Sequence, residues 1–232
     1  MINQIFPKIT SKFDYFEKQT IVSYVNAYNY LQLRKDSKIV QSIDRFTLDG
    51  IYLLVLIKIL FFKNFKRLSP DFSSYFNDLF LLADKNKKSV FFLGATTQEV
   101  KDFVTIINKK FPNLIVSGFH NGFFDTNEMG QLSQKISDTN PDVVFIGLGS
   151  LKQEVFSVYL KDNGFKGTIY TCGAFLSQTA NHGVNYYPKF INTFHLRWAY
   201  RLIQEKGLFK RYFFEYPNAT IIIILDFIKS KV

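Results

Sequence analysis

Residues 143–146 form a wholly apolar run between Asn140-Pro141-Asp142 and Gly147-Leu148-Gly149-Ser150. A strand with no polar face has nothing to turn towards water. It belongs in a sheet covered on both sides, as parallel sheets are. Residues 20–25, 46–48, 89–93, 114–118 and 168–172 read as further strands. Helix-like segments alternate with them over 27–35, 36–45, 51–62, 71–83, 98–111, 128–137 and 152–160. Strand and helix alternating over short links predict an α/β fold. The expected form is a Rossmann-like, mostly parallel sheet with helices on both faces. Right-handed crossovers bring the strand carboxyl ends to one edge. Asn26, Asp49, Gly94, Gly118, Gly147 and Gly173 are therefore expected to line one crevice, where ligands of open α/β sheets bind.

The turn after residue 146 carries the strongest chemical signal. Gly147 and Gly149 permit a sharp turn and close approach of a ligand. Ser150 is placed to cap the helix that Lys152, Gln153 and Glu154 begin. Unpaired N–H groups at such a helix start, with the Lys152 ammonium beside them, make an anion site. The Gln153 amide adds a group that both donates and accepts. Gly94-Ala95-Thr96-Thr97 lacks the dinucleotide and P-loop spacings, so a plain tight turn is favoured there. Asp49, before Gly50 at a strand end, reads either as a helix cap or as a general base. His120, His182 and His195 are isolated, and no GxSxG elbow occurs. A single cysteine, Cys172, excludes an intrachain disulfide and a cysteine-built metal site. No metal site and no cofactor are expected.

Charge and hydropathy then divide the chain. Twenty-nine Lys+Arg against nineteen Asp+Glu give +10, with the excess near the C-terminus. That favours polyanionic partners. Residues 51–62 are apolar apart from Lys58, but twelve residues cannot span a bilayer, so burial is expected. From about 187 the chain becomes amphipathic and basic. Arg197, Arg201 and Gln204 share one helical face and Trp198, Leu202 and Ile203 the other. Residues 221–228 are apolar except for Asp226, as in a tail packed on the domain or lying in a membrane interface. The expected organisation is a core over 1–186 and a basic, apolar appendage over 187–232. The N-terminus lacks a signal-peptide layout, which points to the cytoplasm.

Ordered blocks add a family. NPDVVFIGLGSLKQE resembles the "P-D-[hydrophobic]-G-L-G-[SP]-x-K-Q-E" signature of the WecG/TagA/CpsF glycosyltransferases. VNAYNYLQLRKD, FTLDG, RLSPDF, SVFFLGATTQEV, FPNLIVSGFHNGFF and RWAYRLIQEKGLFKRY resemble that family's other blocks in the same order, over roughly residues 20–213. The resemblance implies inverting, metal-independent transfer of a sugar from a nucleotide diphosphate, expected to be UDP, to a lipid-diphosphate-linked saccharide. It implies Asp49 as catalytic base and Gln153 as a substrate contact. Arg201 and Arg211 would lie in an appendage closing over the diphosphate. Asn26, Gly94, Gly118, Gly147, Gly149 and Lys152 complete the expected substrate-binding set. The expected partners are the nucleotide sugar, the lipid-linked acceptor and an anionic membrane at the inner face of the plasma membrane. Nucleic acid is not among them, and a homo-oligomer is left open. The chain departs from the family pattern at Tyr52, where a small residue is usual, and at Leu176, where a carboxylate is usual. A nucleotide-binding oxidoreductase and a basic nucleic-acid-binding protein are the alternative readings.

Overall fold

The apolar runs pair into one sheet in a computed structural model that describes residues 1–186, 191, 197–204 and 208–231. The strands are β1 (Ile21–Val25), β2 (Arg45–Leu48), β3 (Ser89–Gly94), β4 (Ile115–His120), β5 (Val143–Gly147) and β6 (Thr168–Thr171). Their order across the sheet is β2-β1-β6-β5-β3-β4, and every pairing is parallel. Alternate side chains feed two cores. In β5, Val144 and Ile146 join one cluster while Val143 and Phe145 join the other, as a period of two requires.

Helices cover both faces. The first face carries α1 (Ala27–Leu33), α2 (Ser37–Ser42), α3 (Ile51–Phe61), α6 (Met129–Thr139) and α7 (Lys152–Asp162). The second carries α4 (Tyr75–Lys85), α5 (Thr97–Lys110) and α8 (Phe175–His182). The helix after β1 and the helix after β6 thus leave on opposite faces, although those strands are neighbours. Such a reversal opens a crevice at their carboxyl ends.

The strand order corrects one expectation. Asp49 follows β2 at one edge of the sheet, and Gly118 lies in β4 at the other. At about 4.8 Å per strand the two edges are about 24 Å apart. A common carboxyl edge therefore does not make a common crevice. Other boundaries moved as well. The helix expected from residue 71 begins at Tyr75, after a turn through Ser69–Ser74, and the expected irregular lead-in contains a helical turn, Ile2–Ile5.

The tail returns to the core. After α9 (Arg197–Gln204), a π-helical stretch Arg211–Glu215 leads into α10 (Tyr216–Lys229). Ala219 and Ile223 are fully buried in the first-face cluster. Burying an isoleucine side chain contributes about 1.5–3 kcal/mol. Asp226 accepts from Tyr30 Oη (2.8 Å) and pairs with Arg34 (2.9 Å). Burial alone would raise its pKa, but the Arg34 and Tyr30 hydrogen bonds outweigh that and lower it. The lone acid in the apolar run is therefore an anchor. Ile221, Leu225 and Ile228 remain exposed.

Candidate active site

Asp49 stands one residue beyond β2, and its N–H donates to Val25 O (3.0 Å), extending the β1–β2 ladder. Gly50 then turns with φ +81°, a conformation side chains resist, and α3 starts at Ile51. Two groups hold the carboxylate. Ser69 Oγ donates to Oδ1 at 2.7 Å, and Asn26 Nδ2 approaches Oδ2 at 3.4 Å. Both are themselves fixed. Asn26 caps α1 in a reciprocal pair with Asn29. Ser69 is buried on an extended segment that runs beside β2, with Leu68 N donating to Leu48 O (2.9 Å). The carboxylate keeps partial access to solvent.

A cleft of about 890 Å³ opens beside Asp49, at the β1/β6 reversal. Its floor includes Tyr24, Gly149, Ser150 and Gly173, and Asn26 stands at its edge. Arg67 and Asp71 enter from the segment after α3, Arg197 and Trp198 from α9, and Arg211 and Phe213 from the π-helical stretch. Asp71 accepts from Arg197 Nη1 (2.9 Å), which ties α9 to the core. The Arg211 guanidinium lies over the Tyr28 ring, 4.0 Å from its centre. Arg197 is committed to Asp71 and Ser73, while Arg67 and Arg211 add guanidinium charge to the cleft lining, which suits a diphosphate. Burial, with the charges of Glu154 and Asp49, raises the Tyr24 phenol, so it remains a neutral hydroxyl. The lining also has an apolar part, formed by Tyr52, Val55 and Ile59 of α3.

The structure brings Asp49, Asn26, Gly149 and Arg211 to the cleft. Other expected site residues do different work. Gln153 is fully buried: its Nε2 donates to Glu154 (2.9 Å) and its Oε1 accepts from Gly173 N (3.0 Å). It shapes the cleft floor from behind. Glu154 also accepts from Ser23 Oγ (2.8 Å) and Leu151 N (2.7 Å). Burial raises its pKa against the pull of these donors. Leu151, at φ +69°, takes the cap position of α7, and Ser150 makes no capping bond. Gly94 and Gly147 are close-packed backbone: a Cβ on Gly94 would sit 2.5 Å from Gly147 O. Gly118 leaves room for the Phe91 ring at the far side of the sheet. These three and the exposed Lys152 lie outside the cleft lining. The turn after β3 offers no free anion site either, because Glu99 fills the start of α5, accepting from Thr96 N (2.9 Å). Arg201 lies in α9, but its side chain is outside the described residues. Among the described residues, no group of three or more His, Cys, Asp or Glu is placed to hold a metal ion.

Arg67, Ser69 and Tyr28 were not picked out by the sequence reading. Arg67, Ser69 and Asp71 are spaced i, i+2, i+4 in RLSPDF, which puts them on one side of an extended segment. Expecting a helix from residue 71 hid that spacing. The two departures from the family pattern also find places. Tyr52 reaches the tail, hydrogen-bonding Thr220 (2.5 Å) and packing on the Tyr216 ring (5.1 Å). Leu176 is buried in the second-face core and lies outside the cleft lining.

A carboxylate and guanidiniums lining one cleft at the strand carboxyl ends of an open α/β sheet suit group transfer. The Glycosyl transferase WecG/TagA/CpsF family matches residues 2–232, and the chain belongs to that family of glycosyltransferases. It is similar to the Shigella boydii UDP-Gal:alpha-D-GlcNAc-diphosphoundecaprenol beta-1,4-galactosyltransferase, with 33% identity over 208 residues, covering 89% of this chain and 86% of that protein. It is also similar to the N-acetylglucosaminyldiphosphoundecaprenol N-acetyl-beta-D-mannosaminyltransferase of Bacillus subtilis (strain 168). That identity is 26% over 215 residues, covering 88% of this chain and 81% of that protein.

Proposed function

We propose that this glycosyltransferase moves a hexosyl or N-acetylhexosaminyl group from a UDP-sugar to a saccharide carried on a polyprenyl diphosphate, with inversion. The observation that carries this reading is one cleft lined by the Ser69-bound Asp49 carboxylate together with Arg67 and Arg211. Asp49 takes the proton of the acceptor hydroxyl as its oxygen bonds to the anomeric carbon. The bond from that carbon to the diphosphate oxygen breaks, and its electron pair leaves with the nucleoside diphosphate. A positioned base contributes about 10²–10⁴-fold. Guanidiniums fixed where negative charge grows contribute a further several kcal/mol. The UDP-Gal donor of the Shigella boydii relative and the diphosphoundecaprenol-linked acceptors of both relatives support the substrate class.

The same reading places the enzyme peripherally at the inner face of the plasma membrane. No helix among the described residues is long and apolar enough to cross a membrane. Exposed Ile221, Leu225 and Ile228 of α10, with Lys229 and Lys231 beside them, form a surface that suits an anionic bilayer. The test is a transfer assay with a panel of UDP-sugars and a GlcNAc-diphospholipid acceptor, with product linkage read by NMR. Transfer of one sugar with inverted configuration is expected. Release of UDP without any glycosylated lipid, across the panel, would overturn the acceptor class.

A further inference from the structure

The cleft has a polar and an apolar lining. Asp49 and the guanidiniums line it together with Tyr52, Val55 and Ile59 of α3, the helix that starts two residues after Asp49 and leads away from it. Residues 52, 55 and 59 share one face of α3, since helical neighbours recur at three and four. The opposite face, Leu53 and Ile57, is packed into the core. The outward face would normally be polar, yet Val55 is 47% exposed and Ile59 62%. Phe62, one turn on, is 92% exposed. An apolar stripe left open to water beside a polar site marks a ligand or an interface.

We infer that this stripe is a subsite for the hydrocarbon chain of the acceptor, running from the diphosphate along α3 towards Phe62. The inference rests on the proposed acceptor class. It is favoured over plain bilayer contact because Tyr52, Val55 and Ile59 line the same continuous cleft as Asp49. A chain joined to a diphosphate held by the guanidiniums has this wall directly beside it. The tail helix keeps the groove in shape through the Tyr52–Thr220 bond.

Two experiments test it. The first compares kcat/KM for membrane-free, water-soluble acceptors that differ only in the length of the alkyl chain on the diphosphate. Each methylene laid on the wall is worth up to about fourfold, from about 0.8 kcal/mol per buried CH₂. Selectivity for the longer chain should exceed tenfold in the native enzyme, collapse towards one in Ile59→Asp, and return in Ile59→Leu. The second uses the native enzyme and an acceptor with a diazirine at the chain end, so it does not depend on a variant folding. Crosslinks are expected on α3, between Val55 and Phe62. Native enzyme that shows no chain-length selectivity, or crosslinks elsewhere, overturns the subsite. Loss of vesicle binding by Ile59→Asp with selectivity intact overturns it in favour of bilayer contact. If native enzyme glycosylates no acceptor of any length, the proposed function fails instead.

Discussion

Ser69 is the residue that turns Asp49 from a carboxylate at a strand end into an aimed one. Its Oγ donates to Oδ1 from a buried position, and Asn26 stands at the other oxygen. Ser69→Ala should lower kcat about 10–10²-fold with little change in KM for the donor, because one hydrogen bond to a charged group is worth about 1.5–3 kcal/mol. Steady-state kinetics checks this, and Ser69→Thr, which keeps the hydroxyl, should restore most of the loss. Arg211 gives a second case. Its guanidinium sits 4.0 Å from the centre of the Tyr28 ring, and an ammonium there would lack the planar fork of paired donors. Arg211→Lys should therefore lose most of what Arg211→Ala loses, about 10²–10³-fold in kcat/KM by the usual cost of a preorganised donor. Full activity in Arg211→Lys would show that only its charge matters.

The central strands β3 and β5 were legible because each is an apolar run, and the strand boundaries came close, except that Arg45, expected at the end of a helix, opens β2. The sheet order was not, because it is set by where each helix crosses, and no residue in the strands states that. This is why Gly118 and Gly94 were expected at a crevice they do not reach. Gly149 and Gly173 do line the cleft, but Gly94 and Gly147 were expected there for a related cause. A glycine that admits a neighbouring backbone, as Gly94 admits Gly147, looks in sequence like one that admits a phosphate. Asp226 within the apolar run of α10 looked like an interruption and is the anchor of that helix. Its pKa is lowered in the folded state, so the stability it contributes is present above its ordinary value of 3.8 and is lost as pH falls through the folded value. Hydrogen-exchange protection of α10, relative to the unfolded chain at the same pH, should accordingly fall below about pH 4, while Asp226→Asn should show no such acid step. Tyr52→Phe should loosen the same helix mildly, by about 1 kcal/mol for one hydrogen bond, measured as faster exchange over 216–229.

At the scale of the whole molecule, the tail is both a core element and a wall of the site. Ala219 and Ile223 are buried with β1 and β2 side chains, while Trp198, Arg197 and Arg211 line the cleft. Removing residues from 187 onward should therefore cost stability, vesicle binding and activity together. A gentler change separates the roles. Lys229→Glu with Lys231→Glu should reduce flotation with anionic vesicles, since each basic residue near such a surface is worth about 1 kcal/mol, and added salt should reduce native binding in the same way. Turnover of a soluble acceptor by that double variant should stay within about twofold, because neither lysine lines the cleft.

The account turns on the carboxylate of Asp49 accepting a proton at the head of this cleft. The direct measurement is single-turnover transfer by Asp49→Asn, with UDP-sugar affinity measured by calorimetry on the same preparation. The expected result is a fall of about 10²–10⁴-fold in the transfer rate, with donor affinity kept within a few-fold. Transfer at the native rate would contradict the account, since the amide cannot take the proton that the mechanism assigns to it.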